Sequence, residues 1–135
     1  MVQDYLYRAR RCLKEAGLAF EEDDFAGTVR RSQEALELAV KAVLRSRGAE
    51  YPREHDVGEA LTAIEERLPS ELRTHLGELR ALLAKLARVR GPAFYGYEPE
   101  GIPPRKAFSR EYARETLSKV TELAEACFRA VEEPP

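Results

Sequence analysis

The sequence predicts an all-α fold: an antiparallel bundle of about five helices, with a long ordered loop before the last helix. Apolar residues recur every three or four positions through most of the chain, and no segment shows the two-residue alternation of a strand. The apolar fraction of 44% and the charged fraction of 34% are typical of a chain that folds around a core. The length indicates one domain, residues 1–135, and the short early connections favour antiparallel neighbours.

An acidic turn separates the first two predicted helices. We expect the first helix from about Asp4 to Glu22, with an apolar stripe at helical spacing. Asp23-Asp24 interrupts that stripe and can cap the next helix, which is expected from about Phe25 to Arg47. Gly48 is a natural stop, because glycine adopts the left-handed conformation without a Cβ penalty.

Two further helices are predicted in the middle of the chain. Asp56 can cap a short third helix that is expected to end near Leu68. Ser70 is the predicted N-cap of a leucine-rich fourth helix, which is expected to end at about Arg90 because Gly91-Pro92 follows.

A long loop is predicted between the fourth helix and the last one. It runs to Phe108 and holds half of the eight prolines, and loops of this length are usually functional or disordered. Ser109 is the predicted cap of the fifth helix. Aromatic residues favour an ordered, packed loop: Phe94, Tyr95, Tyr97 and Phe108.

The composition excludes several classes of function. A formal net charge of −2 argues against a nucleic-acid coat driven by bulk charge, although it allows a local basic patch. The sequence has no glycine-rich phosphate loop, no Ser/His/Asp order and no Cys/His metal spacing, so we expect no metal and no cofactor. Cys12 and Cys127 indicate free thiols in a reducing compartment, with a disulfide between the terminal helices as the alternative.

The sequence also predicts a cytoplasmic protein. Its N-terminus lacks a basic region followed by an apolar run, and no apolar stretch approaches the roughly 20 residues that a membrane span needs. The absence of asparagine and the many charged residues fit a thermophilic protein as a compositional tendency.

The most informative segment lies at the predicted exit of the fourth helix. Arg88 and Arg90 are followed within seven residues by Tyr95 and Tyr97. Guanidinium groups bind phosphate through paired hydrogen bonds, and tyrosine can stack on a base or donate to phosphate. The pattern indicates a phosphate or base site. The structural alternative is a helix end at which the dipole favours arginine, followed by a loop that tyrosines hold in place.

The polar residues of the second helix allow two interpretations, one structural and one functional. Glu37 and Lys41 have the spacing and order of a favourable helix ion pair. Alternatively, Glu37 faces the arginines and orients Arg90, with Gln33 beside it. His55 precedes a capping aspartate and indicates a structural hydrogen bond at a helix entrance.

The second helix and its exit resemble the HEPN domain family of prokaryotic toxin–antitoxin and nucleotidyltransferase-associated systems. The pattern over residues 32–48 is SQEALELAVKAVLRSRG, and it continues with Pro52 and His55-Asp56. The first helix also fits through Arg8 and Leu13, so the resemblance covers nearly the whole chain. It implies a helical homodimer, acting beside a minimal nucleotidyltransferase as partner.

Many members of that family are metal-independent RNases. Their motif is an arginine, four to six further residues and a histidine, and two copies meet across a homodimer axis. Arg90 matches the arginine, and Tyr97 matches a tyrosine that follows the histidine in some members. Tyr95 stands at the histidine position. Histidine titrates near neutral pH and can act as a base, whereas tyrosine titrates at about pH 10.

We therefore expect a homodimeric module that binds RNA or a nucleotide. Arg88 and Arg90 would bind phosphate, Tyr95 and Tyr97 would stack or donate, and Gln33 and Glu37 would support them. The first alternative is an active endoribonuclease in which Arg90 stabilises the transition state. Because Tyr95 stands at the catalytic position of the family's histidine, this enzyme would need an unconventional base. The second alternative is a structural helical protein without a ligand.

Overall fold

The computed structural model describes residues 1–50 and 56–133, and within these ranges the chain forms seven helices. In order they are α1 Val2–Glu21, α2 Phe25–Ser46, α3 Val57–Ala63, α4 Ser70–Thr74, α5 Leu76–Tyr95, α6 Pro104–Ala107 and α7 Arg110–Glu132. In the described ranges the only strand-like pairing is an isolated antiparallel bridge between Tyr97 and Ile102. The predicted all-α bundle is confirmed.

α2 is the central helix of the bundle and packs against α1, α7 and α5. Its predicted apolar stripe is buried, and small residues beside the stripe are buried as well. A helix that is apolar around most of its circumference must be surrounded by other elements, as α2 is. The fully buried residues of α2 include Val29, Ala35, Leu36, Ala39, Val40, Val43 and Leu44.

Most of the predicted helix ends are confirmed. Gly48 has a φ of +68° and follows Arg47, the C-cap of α2. Ser70 was predicted to be an N-cap, and this prediction is wrong: Pro69 is the N-cap, and Ser70 is the first residue of α4. Three predicted N-caps each accept a hydrogen bond from an amide of the first turn, at 2.9, 2.8 and 3.1 Å: Asp24, Asp56 and Ser109.

The predicted third and fourth helices are each divided. α3 ends at Ala63, and a separate 3₁₀ turn follows at Glu65–Arg67 in place of one helix to Leu68. The fourth helix is broken at His75, where α4 gives way to α5. The sequence did not reveal this break because leucines are buried at helical spacing on both sides of it: Leu72, Leu76, Leu79, Leu83 and Leu86.

α5 extends one turn further than predicted. The expected end at Arg90 is wrong, because the helix continues through Pro92 to Tyr95. Proline removes one backbone donor from a helix. The following turn still closes, since the Gly96 amide donates to the Pro92 carbonyl at 2.8 Å. Ala93 lies in that turn, packs against the core and is 3% exposed. Its burial helps to offset the missing hydrogen bond.

The loop before the last helix is ordered, as predicted, but much of the expected loop is helical. Between α5 and α6, Tyr97 and Ile102 exchange backbone hydrogen bonds of 2.8 and 3.0 Å. Gly96 makes this pairing possible with a φ of +74°, and a Cβ at this position would overlap the Ile102 carbonyl oxygen.

Arg47 connects the ends of three elements at one end of the bundle. Its side chain is 3% exposed and donates to the backbone carbonyls of Arg67 and Glu133, each at 3.1 Å. Arg67 in turn donates to the Arg47 carbonyl. The buried guanidinium thus satisfies carbonyl groups at the 3₁₀ turn and after α7 that would otherwise lack donors.

Both cysteines are free and buried. Burial, reinforced by Glu34, raises the pKa of Cys12 to about 11, and burial raises the pKa of Cys127 to about 12. The prediction of free thiols is confirmed. Among the described helices, none combines the length and apolar character that crossing a membrane requires.

Candidate functional site

A groove of about 730 Å³ lies between α2 and the last two turns of α5, with Arg8 of α1 at its side. We call it the α2–α5 groove. It brings together cations, carboxylates and aromatic rings from three helices. Its lining residues are Arg8, Arg30, Gln33, Glu34, Glu37, Leu38, Lys41, Ala87, Arg90, Gly91, Phe94 and Tyr95.

The spacing of the lining residues explains how two helices form the groove. On α2 they are positions 30, 33, 34, 37, 38 and 41, and on α5 positions 87, 90, 91, 94 and 95, so that each lies three or four positions from another. Such steps place side chains on one face of a helix. Phe94 and Tyr95 join this face only because α5 continues through Pro92. The unexpected last turn of α5 therefore supplies the aromatic part of the groove.

The structure divides the four residues of the predicted arginine–tyrosine segment. Arg90 and Tyr95 line the α2–α5 groove, whereas Arg88 and Tyr97 do not. Positions two apart on a helix differ by about 200° in direction, so Arg88 and Arg90 cannot share a face. Arg88 and Tyr97 lie instead near Tyr112. Burial raises the pKa of the Tyr112 phenol, the neighbouring Tyr97 raises it further, and the charge of Arg88 opposes the rise.

Arg90 is not at a helix end. Since α5 ends at Tyr95, Arg90 stands more than one turn before the C-terminus, where the helix dipole has little influence. Arg90 is exposed, and no hydrogen bond or ion pair joins its side chain to another described residue. The structural alternative was an arginine at a helix end, where the dipole favours a positive charge. It does not account for Arg90, which lies inside α5. Tyr95 is 62% exposed, so its side chain does not anchor the loop.

Gln33 and Glu37 lie together on the α2 wall. The Gln33 amide nitrogen donates to Glu37 Oε2 at 2.7 Å, and Lys41 Nζ lies 3.2 Å from Glu37 Oε1. The predicted Glu37–Lys41 ion pair is confirmed. No direct hydrogen bond or ion pair is found between Glu37 and Arg90 among the described contacts. That Glu37 orients Arg90 stays a prediction.

Arg30 and Phe94 are lining residues that the sequence did not single out. The Arg30 guanidinium lies over the Phe94 ring, 5.3 Å from its centroid, and the Phe94 and Tyr95 rings are 4.7 Å apart. Arg30 Nε is buried without a hydrogen-bond partner in the described part of the chain. The signal in the sequence was helical spacing, because Arg30 precedes Gln33 by three positions and Glu37 by seven.

The groove carries net positive charge although the chain does not. Four cationic side chains line it, against two carboxylates. Glu34 accepts from Arg31 at 3.2 Å and contacts the Cys12 thiol at 3.6 Å, so it is already engaged. In the described part of the chain, Arg8 makes one ion-pair contact, an exposed one of 3.8 Å with Asp4, and such pairs are weak. The excess of cations therefore favours an anionic ligand in the groove.

No histidine is found among the lining residues in the described ranges. His75 lies at the α4–α5 junction, with Nδ1 3.4 Å from Glu78 Oε2. His55 lies outside the described residues. The described chain also contains no group of three or more His, Cys, Asp or Glu residues that could hold a metal ion. Within the described ranges, the groove therefore offers groups that can bind a ligand and no histidine that could act as a base.

The family model of the HEPN domain matches residues 2–131, which is nearly the whole chain and includes every lining residue of the groove. No curated protein matches the sequence.

Proposed function

Because this chain belongs to the HEPN domain family, we propose that it is a homodimeric module that binds RNA or a nucleotide in the α2–α5 groove. The family supports a helical module with a nucleotide- or RNA-related role. The observation that carries the proposal is the position of Arg90, which faces the groove and has no hydrogen-bond or ion-pair partner among the described residues. A guanidinium in this situation can offer a phosphate two parallel hydrogen bonds.

The other lining residues suit the same class of ligand. Arg8 and Arg30 add positive charge near Arg90, and the exposed ring of Tyr95 is a surface on which a base can stack. Single-stranded nucleic acids are commonly bound by this combination of cations and aromatic rings. Arg88 and Tyr97 remain candidate contacts for a longer strand, beyond the groove itself.

A homodimer is supported by the surface at the end of α5. Phe94, Tyr95, Tyr97 and Ile102 are between 36% and 62% exposed in the single chain. HEPN domains generally act as dimers, and a second copy at this end would cover part of the apolar surface. Sedimentation equilibrium should give twice the mass of the chain, and Ile102→Glu should lower that mass. A monomer at all concentrations would contradict the homodimer.

A minimal nucleotidyltransferase is the proposed partner, in a toxin–antitoxin-like system. The support is the family alone. A neighbouring reading frame for a small nucleotidyltransferase, and its co-purification with this chain, are the expected observations. Co-expression that never yields a complex would contradict the partnership and leave RNA binding unaffected.

Binding to single-stranded RNA, followed by fluorescence anisotropy at two salt concentrations, tests the main proposal. Arg90→Ala should weaken binding about tenfold or more, since a charge-assisted phosphate contact is lost. Arg80→Ala is the matched control, because it removes the same charge from an exposed position of the same helix but outside the groove, and we expect a much smaller effect.

The two alternatives correspond to other outcomes of the same assay. Cleavage of RNA without metal, abolished by Arg90→Ala, would replace the binding module by an endoribonuclease. The absence of any RNA or nucleotide binding, with Arg90→Ala changing only stability, would leave a structural helical protein.

A further inference from the structure

The α2 wall of the groove offers hydrogen-bond acceptors in addition to cations. Gln33 donates its amide nitrogen to Glu37, so its carbonyl oxygen points away from that carboxylate, and no described donor meets it. Glu37 accepts one contact on each carboxylate oxygen. A carboxylate has about four acceptor positions, so each oxygen keeps capacity for one more donor.

The Glu37 carboxylate cannot bind a phosphate, because two negatively charged groups repel each other. Phosphate must lie against the cations of the groove, Arg90 and Arg30. A ligand part that contacts Glu37 must instead present N–H or O–H donors. In a nucleotide these are on the base and on the ribose, and a base whose ring lies against Tyr95 would present its N–H groups to Glu37.

The four RNA bases differ in how many donors they can present to one carboxylate. Guanine carries the N1–H and the N2 amino group side by side on its Watson–Crick edge, and together these match the two oxygens of a carboxylate. Adenine and cytosine each place a ring nitrogen acceptor beside their amino group, and this lone pair would face the carboxylate. Uracil has one N–H between two carbonyl oxygens. Guanine alone makes two hydrogen bonds without a repulsive contact.

We propose that the α2–α5 groove selects guanine, by pairing the guanine N1–H and N2 amino group with the Glu37 carboxylate while the base stacks on Tyr95. This inference rests on the nucleotide-binding function proposed above. Gln33 and Lys41 act as positioning residues, because their contacts with Glu37 fix the carboxylate on the groove side of α2. The Gln33 carbonyl oxygen is a further acceptor beside it.

The experiment compares RNA pentamers of uridine that carry a single guanine, hypoxanthine or adenine at the centre. Hypoxanthine keeps the N1–H of guanine and lacks the amino group. Fluorescence anisotropy with the full chain should give about tenfold tighter binding for guanine than for adenine, with hypoxanthine between them, as expected for a bidentate base contact.

Two variants test whether Glu37 is responsible for the preference for guanine. Glu37→Gln should reduce guanine affinity to the level of adenine and leave adenine affinity nearly unchanged. Glu34→Gln is the matched control: Glu34 also lines the groove, but Arg31 and Cys12 engage it, and the guanine preference should persist. A thermal melt of each variant verifies that the fold is retained.

The possible results separate this inference from the function on which it rests. If the pentamers bind with equal affinity, guanine selection is overturned and RNA binding stands. The same conclusion follows if Glu37→Gln weakens all pentamers by the same factor, since Glu37 then acts only on the fold or on Lys41. If no pentamer binds, the nucleotide-binding function fails, and guanine selection fails with it.

Discussion

The guanidinium of Arg30 lies 5.3 Å from the centroid of the Phe94 ring, and this contact joins the middle of the bundle to the last turn of α5. The two residues are 64 positions apart in the chain. Arg30 belongs to a helix that is buried on most of its faces, whereas Phe94 is 55% exposed. The contact therefore positions an otherwise exposed ring along the groove.

Replacing Phe94 by alanine should weaken both the fold and RNA binding. The loss of the cation–π contact is expected to lower the free energy of unfolding by about 0.5–1 kcal/mol, as is typical for partly exposed pairs. RNA affinity should fall as well, because Arg30 is no longer held beside the ring. Urea unfolding and anisotropy are the measurements. Tyr7→Ala, at a ring that is 63% exposed on α1 and outside the groove, should leave RNA affinity unchanged.

Gly96→Ala should destabilise the turn after α5. The positive φ and the overlap of a Cβ with the Ile102 carbonyl together predict a loss of about 1–3 kcal/mol in urea unfolding. Gly77→Ala is the control within α5. No atom lies within 4 Å of a Cβ at Gly77, so this change should stabilise the protein by about 0.5–1 kcal/mol. Equal effects of the two changes would show that the turn does not require glycine.

Arg47→Met should be among the most destabilising changes of a charged residue in this chain. It removes two part-buried hydrogen bonds that a charged donor, itself 3% exposed, makes to backbone carbonyls, and such bonds contribute about 1.5–3 kcal/mol each. We expect a loss of roughly 2–4 kcal/mol in the free energy of unfolding. Arg45→Met, at an exposed position two residues earlier, should change it by less than about 0.5 kcal/mol. A small effect at Arg47 would mean that water replaces the guanidinium.

The buried thiols predict a loss of stability at alkaline pH. Both thiol pKa values are raised in the folded chain, to about 11 and about 12, above the usual value near 9. Between pH 9 and 11 the unfolded chain loses thiol protons that the folded chain retains, so the free energy of unfolding falls as pH rises. The double variant Cys12→Ala, Cys127→Ala should reduce this slope in urea titrations. An identical slope in the variant would assign the pH dependence to other groups.

The same raised pKa values predict slow chemical modification. The thiolate is the reactive form, and a thiol with a pKa of about 11 is ionised in about one molecule per thousand at pH 8. Iodoacetamide should therefore label neither cysteine in the folded protein, and both in urea. Rapid labelling of Cys12 alone without denaturant would show that α1 opens locally.

Local signals in the sequence predicted most of the fold. The caps at Asp24 and Ser109 and the stop at Gly48 depend on short-range chemistry, and they were confirmed. The end of α5 was missed because the rule that proline terminates a helix is also local. The burial of Ala93 depends on residues far away in the chain, and no pattern near Pro92 contains that information.

The lining residues of the groove were predicted only in part, because contacts between distant residues leave no local pattern in the sequence. Gln33, Glu37, Arg90 and Tyr95 were all named from the sequence, and all four line the α2–α5 groove. Whether they bind a ligand stays a prediction. Arg30 was missed because its relation to Phe94 exists only in the packed fold. Arg88 was grouped with Arg90 by proximity in sequence, whereas helical geometry separates their side chains.

The extra helical turn after Pro92 has a consequence for how a ligand would be captured. Phe94 and Tyr95 are part of a regular helix, and their backbone is fixed before any ligand arrives. Association would then require little ordering of the protein. The loss of backbone conformational entropy would therefore offset only a small part of the favourable binding free energy. The groove would thus be preorganised, and recognition of the proposed ligand would depend on the shape and donors of that ligand more than on folding of the protein around it.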